Sequence, residues 1–443
     1  MDQKILKTEK LSKLFIKFTI PSIIGMVFLG IQGIIDGLFV GNVIGENALA
    51  AVNIVQTYMQ IVMAYALVIG VGAQSIIGIN LGKGENEKAQ NIFRTSLILL
   101  TLISTLVMVF GIFFSDKIAI FLGANEVLLE GASTYIKIIS YFIVFVSLMF
   151  LFEMIVRTIG KSNISLVSMI LAVLLNVVLD YLLINKLSLG IKGAAVATGI
   201  SYASAFFINI IPFLNKSTVV NLYKGKFDGS CLFPMVYNGS SEGISSLSNG
   251  LSMFLFNTAL MKIAGESGIA AFSIINYIAQ VGYMVLFGIA DGVGPIISYN
   301  YGAENEERVN KTLKASIIVN LLIGIIIFIV MEMFSQPLIN VFLKDGKSVL
   351  EMATTGAKIY GIAFLFNGVN ILISSYFTAI DDPMSSIIVA VSRGLLFIAV
   401  GIFILPYIFG INGIWGSIVF AEVITIIICF KLLKNRTKKQ TEY

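Results

Sequence analysis

Apolar segments of about 20 residues follow one another along the whole chain, each long enough at helical rise to cross the hydrocarbon core of a bilayer. That pattern admits few folds. In hydrocarbon every backbone N–H and C=O must be bonded within the protein, so consecutive segments of this length span as helices. Composition agrees. Of 443 residues, 57% are hydrophobic and only 12% charged, against about 25% charged in soluble domains. Mean hydropathy is +0.93. The expected fold class is an all-α integral membrane protein with twelve transmembrane helices. They are placed near 15–40, 48–80, 91–114, 131–157, 163–185, 191–214, 234–263, 268–299, 313–334, 352–379, 385–406 and 412–433.

An even number of spans puts both termini on one side. Placing them in the cytoplasm leaves most of the 30 Lys and Arg in cytoplasmic segments, including MDQKILKTEKLSKLFIK at the start and KLLKNRTKKQ in the tail. This obeys the positive-inside rule. The net charge of +5 is thus a topology anchor and implies no nucleic-acid partner. The first charged segment runs straight into a full-length span, so no cleaved signal is expected. No histidine occurs, which excludes histidine-based catalysis, proton shuttling and haem ligation. Cys231 and Cys429 fit neither a disulfide framework nor a metal site. Neither an enzyme nor a bound cofactor is expected.

The chain repeats itself. INLGKGENEKAQNIFRTS (79–96) aligns without gaps to YNYGAENEERVNKTLKAS (299–316), with Asn80, Gly82, Glu87 and Ser96 falling on Asn300, Gly302, Glu307 and Ser316. At the same offset Ala50, Ala51 and Gln60 meet Ala270, Ala271 and Gln280, and GIKG (190–193) meets GING (410–413). Two six-helix lobes follow, 1–214 and 233–443, joined by a polar cytoplasmic loop at 215–232. Six is even, so the lobes share one orientation and should be related by a pseudo-twofold along the membrane normal, a known transporter design. GKGENEK lacks the Walker spacing and reads as a turn. Gly33, Gly37 and Gly41 form a small-residue face on helix 1, read as a close-packing surface with a hinge as the lesser alternative.

Charges inside the spans carry the functional signal. Asp36, Glu153, Asp180, Glu242, Asp291 and Glu422 lie within apolar segments, and intramembrane carboxylates mark ion or substrate pathways by default. Glu153, four residues before Arg157, and Glu422 read as residues that pair at a helix end or reach headgroups. Asp291 fits a structural or a functional role equally. Asp180 has company. Asn176 stands four residues earlier, on the same helix face, and the short NKLSLG connection makes helices 5 and 6 antiparallel neighbours. Asp180, Thr198 and Asp36 then sit at a matched depth, roughly 9–10 Å below the outer helix ends for the first two. Two carboxylates, an amide and a hydroxyl suit a small hard cation; alternatively, one of two neighbouring carboxylates holds a proton. In the second half these positions become Phe256, Leu396, Val400 and Ile418, so the polar cluster is expected in one lobe only.

With these features the sequence resembles the multidrug and toxic compound extrusion family over essentially its whole length. The likeness rests on the two six-helix halves, on IPSIIGMVFLGIQGIIDGLFVG, NVVLD and GAAVATG, and on the paired N-x-G loops after helices 2 and 8. It implies that Asp36, Asn176, Asp180 and Thr198 bind the coupling sodium ion or proton. It implies as well an antiporter, acting as a monomer, that exports amphipathic and often cationic molecules through a cleft between the lobes. One branch of that family relies on acidic residues deep in helices 7 and 10. Here helix 10 has none, and Glu242 in helix 7 either meets cationic substrate or caps a polar helix start. Gln56, Gln60, Asn276 and Gln280 are further candidates for substrate contact, with Glu242 and Asp291. The competing readings are a lipid-linked oligosaccharide flippase of the same superfamily and, less favoured, a channel; a flippase would need a basic cleft for anionic headgroups.

Overall fold

The structure, a computed structural model, describes residues 3–340 and 347–441. Among these no strand occurs, and helices account for nearly every residue. The long helices are labelled here by span. α1 is Leu11–Phe39, continued by a π-helical turn at Val40–Ile44. α2 is Glu46–Lys83, α3 is Asn86–Phe113, and α4 is a pair of helices, Glu126–Ser140 and Ile143–Thr158, bent by 55°. α5 is Ser162–Asp180 with a π-helical turn at Tyr181–Lys186, and α6 is Gly190–Ile210. α7 and α8 are the two legs of Leu232–Gly302, broken at Gly265. α9 is Glu306–Asn340, and α10 joins Lys347–Ile362 to Phe364–Ala379. α11 runs through Pro383–Val391, a π-helical turn at Ser392–Leu396, and Phe397–Ile404; α12 is Ile411–Thr441. Among the described residues, with each bent pair taken as one span and the broken helix as two, twelve segments can cross a bilayer, and they fall on the twelve expected ones. Short helices at Gln3–Thr8, Ser115–Phe121 and Pro406–Phe409 are additions that apolar length alone does not reveal.

The breaks have local causes. Gly265 adopts φ 63°, ψ −152°, a region open to glycine and closed to residues with a Cβ. Gly84, at φ 80°, ends α2 as a left-handed cap whose N–H reaches the carbonyls of Asn80 and Leu81. The outer surfaces are as apolar as the sequence demands. On α9, Ile318, Leu322, Ile326 and Ile329 are all exposed, a stripe at helical spacing that only a hydrocarbon solvent tolerates.

The described residues pack as two compact units. The first runs up to Gly239 and also takes in Ser298–Glu306; the second holds Ser240–Ile297 and the residues from Glu307 on. In the first unit, Tyr58 meets Ser140 at 2.9 Å and Tyr65 meets Ser147 at 2.8 Å. These pairs are seven residues, or two turns, apart on both helices, and they pin α2 to α4. Polar side chains bonded between helices in this way act as glue where water cannot compete. A buried ion pair, Arg157 Nη2 to Glu153 Oε1 at 3.3 Å, is joined by Ser22 from α1 and Ser165 from α5. The expected Glu153–Arg157 pair is therefore real but fully enclosed rather than at a headgroup. The loop at 215–232 is stitched to α3: Gln90 donates to the carbonyls of Asn221 and Lys224, and Thr95 accepts from the N–H of Asp228.

The glycine face of α1 packs closely only at its last position. A Cβ added at Gly33 or Gly37 meets nothing within 4 Å, which corrects the packing reading there, while one at Gly41 would press on Leu49 at 3.2 Å. Backbone contact occurs instead where the ends of α2 and α8 cross. A Cβ at Gly82 would strike the carbonyl of Tyr299, and one at Gly302 the carbonyl of Ile79. These two glycines are repeat counterparts, so each N-x-G loop keeps its glycine for the other. Gly82→Leu should therefore destabilise the purified protein by about 1–3 kcal/mol through overpacking. Gly33→Ala should leave stability unchanged or raise it by up to about 1 kcal/mol, since alanine is the better helix former. Thermal melting in detergent measures both, and an equal loss in the two variants would contradict the assignment.

Candidate cation site

Three packed helix pairs build the site: α1 against α5, α5 against α6, and α4 against α6. Asp36 and Asp180 stand near the C-terminal ends of α1 and α5, each just before a π-helical turn. Such turns widen the helix, re-aim nearby side chains and recur at functional sites. Asp180 is 1% exposed, Asn176 is fully buried one turn earlier, and Asp36 is half-buried. Asp36 lies within interaction range of both Asp180 and Asn176. Thr198 of α6 accepts a hydrogen bond from the hydroxyl of Tyr135 at 3.2 Å. The charges of both aspartates act on Tyr135, and that of Asp36 also acts on Tyr202, one turn after Thr198. The structure thus gathers the carboxylates and amide named from the sequence, with Thr198 joined to them through Tyr135. The two tyrosines were not foreseen. Tyr202 repeats the i, i+4 spacing on α6, whereas Tyr135 comes from α4 with no signal in the chain.

The polar atoms here lack partners. Asp36 Oδ1, Asp180 Oδ2 and both amide atoms of Asn176 are buried without a hydrogen bond. About nine in ten buried polar groups are bonded, so four such atoms on three adjoining residues, which reach one another but no other partner, make this the candidate ligand site. Three of them are oxygens, which suit a hard cation. Two bare carboxylates about 4 Å apart at an effective dielectric of 20 repel by roughly 4 kcal/mol, and a sodium ion or a shared proton removes that repulsion. Among the described residues no group of three or more His, Cys, Asp and Glu is placed to hold a metal ion, so an ion here would rest on two carboxylates with amide and hydroxyl oxygens.

Of the candidates for substrate contact, Gln56 and Gln60 are exposed one turn apart on α2 in the first unit. In the second unit Asn276 is half-buried and Gln280 exposed on α8, and Glu242 on α7 and Asp291 on α8 are half-buried.

The expectation of a polar cluster in one half only is overturned. Glu422 of α12 is buried, 1% exposed, and does not reach a headgroup. It pairs with Arg393, carried on the π-helical turn of α11, at 3.2 Å, and accepts from Asn367 and Asn370 of α10 at 2.7 and 2.6 Å. At the repeat offset Glu422 falls on Tyr202, a neighbour of the first cluster, whereas Arg393, Asn367 and Asn370 fall on Val173, Ser147 and Phe150; comparing only the counterparts of Asp36, Asn176, Asp180 and Thr198 therefore missed it. Glu242 also feels the charge of Arg393.

Comparison with known proteins follows the same division. A model of the MatE family matches residues 21–182 and 243–404, one stretch in each half. Multidrug export protein MepA of Staphylococcus aureus (strain MRSA252) is 28% identical, covering 99% of this chain and 98% of that protein. The protein of the same name from Staphylococcus saprophyticus is 27% identical, covering 96% and 94%. A crystal structure of MATE in complex with MaL6 superposes with a TM-score of 0.93 at 23% identity, covering 100% of this chain and 99% of the other. A structure described as the outward-facing conformation of a multidrug resistance MATE family transporter gives the same TM-score and identity. At that identity the likeness establishes a shared fold.

If the orphaned amide serves a ligand rather than the fold, Asn176→Leu should melt no lower than the wild type in sodium-free alkaline buffer. Replacing an unbonded buried polar group by an apolar one of similar shape is close to neutral. A cation present at about 100 times its Kd stabilises by about 2.7 kcal/mol, and that increment should vanish in the variant. A large loss of stability without any ion would show that Asn176 is structural.

Proposed function

The chain belongs to the MatE family, and on that premise we propose that it is a cation-coupled multidrug exporter. Amphipathic, often cationic small molecules leave the cell in exchange for sodium ions or protons, by alternating access, with both termini cytoplasmic. The observation that carries this reading is the set of buried, unpartnered atoms on Asp36, Asn176 and Asp180. The whole-length likeness to proteins named multidrug export protein supports the substrate class.

The chemistry runs through the contact of α1 with α5. With a cation between Asp36 and Asp180, their repulsion becomes attraction and α1 is held to α5. When the cation leaves, the like charges push the helices apart unless something else compensates. α1 can respond because its glycine face is free of close neighbours at Gly33 and Gly37. A cationic substrate and the coupling ion then favour different states, and a gradient in one drives export of the other. Thr198, with Tyr135 on its hydroxyl, adds an oxygen ligand if the ion is sodium; a proton needs only a carboxylate. Glu242 supplies a carboxylate for a cationic substrate. An anionic headgroup would call for an uncompensated cation, whereas Arg393 is paired with Glu422, so the flippase reading gains nothing.

Asp36→Asn and Asp180→Asn should each abolish efflux of a cationic dye from cells while leaving membrane insertion intact, because charge is lost and little volume changes. Val400→Asn, at the repeat counterpart of Asp180, should retain near wild-type efflux. Normal efflux from both aspartate variants would remove the coupling role from this site.

A further inference from the structure

Apart from the enclosed Glu153–Arg157 pair of the first unit, each unit holds a cluster of carboxylate, asparagine and threonine. The first has Asp36, Asp180, Asn176 and Thr198. The second has Glu422, Asn367, Asn370 and Thr425, the last one turn beyond Glu422 on α12 and fully buried. They differ in one charge. Where the first holds a second carboxylate, the second holds a guanidinium. Glu422 Oε1 accepts from Arg393 Nη2 at 3.2 Å and from Asn367 Nδ2 at 2.7 Å; Oε2 accepts from Asn370 Nδ2 at 2.6 Å. Asn370 also donates to the main-chain carbonyl of Glu422 at 2.9 Å. Both asparagines are fully buried, and their Oδ1 atoms, like Thr425 Oγ1, have no hydrogen-bond partner. The carboxylate is therefore ringed by N–H donors, one fixed cation already sits on it, and the amide oxygens of the same two asparagines are left unpaired, free to serve a cation if the amides turn.

A carboxylate inside a bundle of this kind needs a positive charge. In the first unit the matched carboxylates leave that charge to be supplied from outside. In the second the chain supplies it, and an arginine can neither dissociate nor give up its proton. We propose that Arg393 is a tethered counter-ion that fills a carboxylate–asparagine cation site in the C-terminal unit, so that this unit exchanges no ion. Removing the guanidinium should expose a site that takes sodium through Glu422, Asn367 and Asn370. The groups facing Glu422 are Tyr283 from α8, Tyr360 from α10 and Cys429 from its own helix, and Glu242 on α7 faces Arg393. None of these carries a positive charge that could replace it. The inference goes beyond cation exchange in the first unit and does not depend on it.

The test is equilibrium binding of radioactive sodium to the purified full chain in detergent, at alkaline pH where protons compete least. Asp36→Asn/Asp180→Asn, which silences the first cluster with little change of shape, should bind no sodium saturably. Adding Arg393→Gln should create one saturable site per molecule. A further Glu422→Gln should abolish it, and Arg393→Lys in place of Arg393→Gln should create none. Saturable binding in the double aspartate variant that Glu422→Gln removes would overturn the proposal. So would a folded Arg393→Gln variant, by elution and melting, that gains no site. If Arg393→Gln does not fold, Arg393→Met and Arg393→Ala take its place, and a folded variant of either that gains no site overturns the proposal. A wild type that binds no sodium would count against sodium exchange at Asp36 and Asp180, and leaves the reading of Glu422 to these arms.

Discussion

A carboxylate in a low-dielectric interior must be matched by a positive charge, and the Asp36–Asp180 and Glu422–Arg393 clusters are two different answers to that requirement, the enclosed Glu153–Arg157 pair following the second. An aspartate at the centre of an inserting helix costs about 2.5–3.5 kcal/mol on insertion scales. The first unit places two of them within reach of each other, Asp36 on α1 and Asp180 on α5, and surrounds them with an amide and phenol hydroxyls rather than with a cation of its own. The second unit encloses Glu422 with Arg393 and two asparagine amides. On the proposed reading, one arrangement is complete only with an ion from solution. The other is complete as folded. That difference decides which helix contact can respond to an ion gradient.

The surrounding architecture fits that division of labour. The buried Glu153–Arg157 pair, with serines from α1 and α5, fixes one end of the α1–α4–α5 assembly. Toward the other end of α1 the side chains at Gly33 and Gly37 are missing and nothing packs closely in their place. A helix held firmly at one end and loosely at the other can swing when the charge balance beside Asp36 changes. The close crossings at Gly82 and Gly302 are the opposite case, because there backbone meets backbone and no side chain can intervene.

Much of this was legible in the chain. The twelve spans follow from segment length and the physics of the unsolvated backbone, and the two halves from the ungapped match of the N-x-G loops. Asp36, Asn176 and Asp180 could be placed together because i, i+4 spacing and equal distance from helix ends are local measures. What failed needed partners distant in sequence. Glu422 looked like an isolated carboxylate because its counter-ion is on α11 and its amide donors on α10, at positions with no counterpart in the first cluster. Tyr135 entered the site through the bend of α4, which no periodicity announces. The glycine face of α1 had the spacing of a packing motif, but spacing says nothing about whether a neighbour arrives.

The most direct test of the account is a linkage experiment on purified protein. Affinity for a fluorescent cationic dye is measured at equilibrium while sodium, and separately acid, is titrated. If ion and substrate favour different states, dye binding weakens by a saturable factor, and dye weakens ion binding by the same factor. Asp180→Asn removes the effect, and Thr198→Val lessens it if the ion is sodium and matters less if it is a proton. Dye affinity that is indifferent to both sodium and pH across the full titration would contradict exchange at the aspartate pair and return the protein to the class of channels.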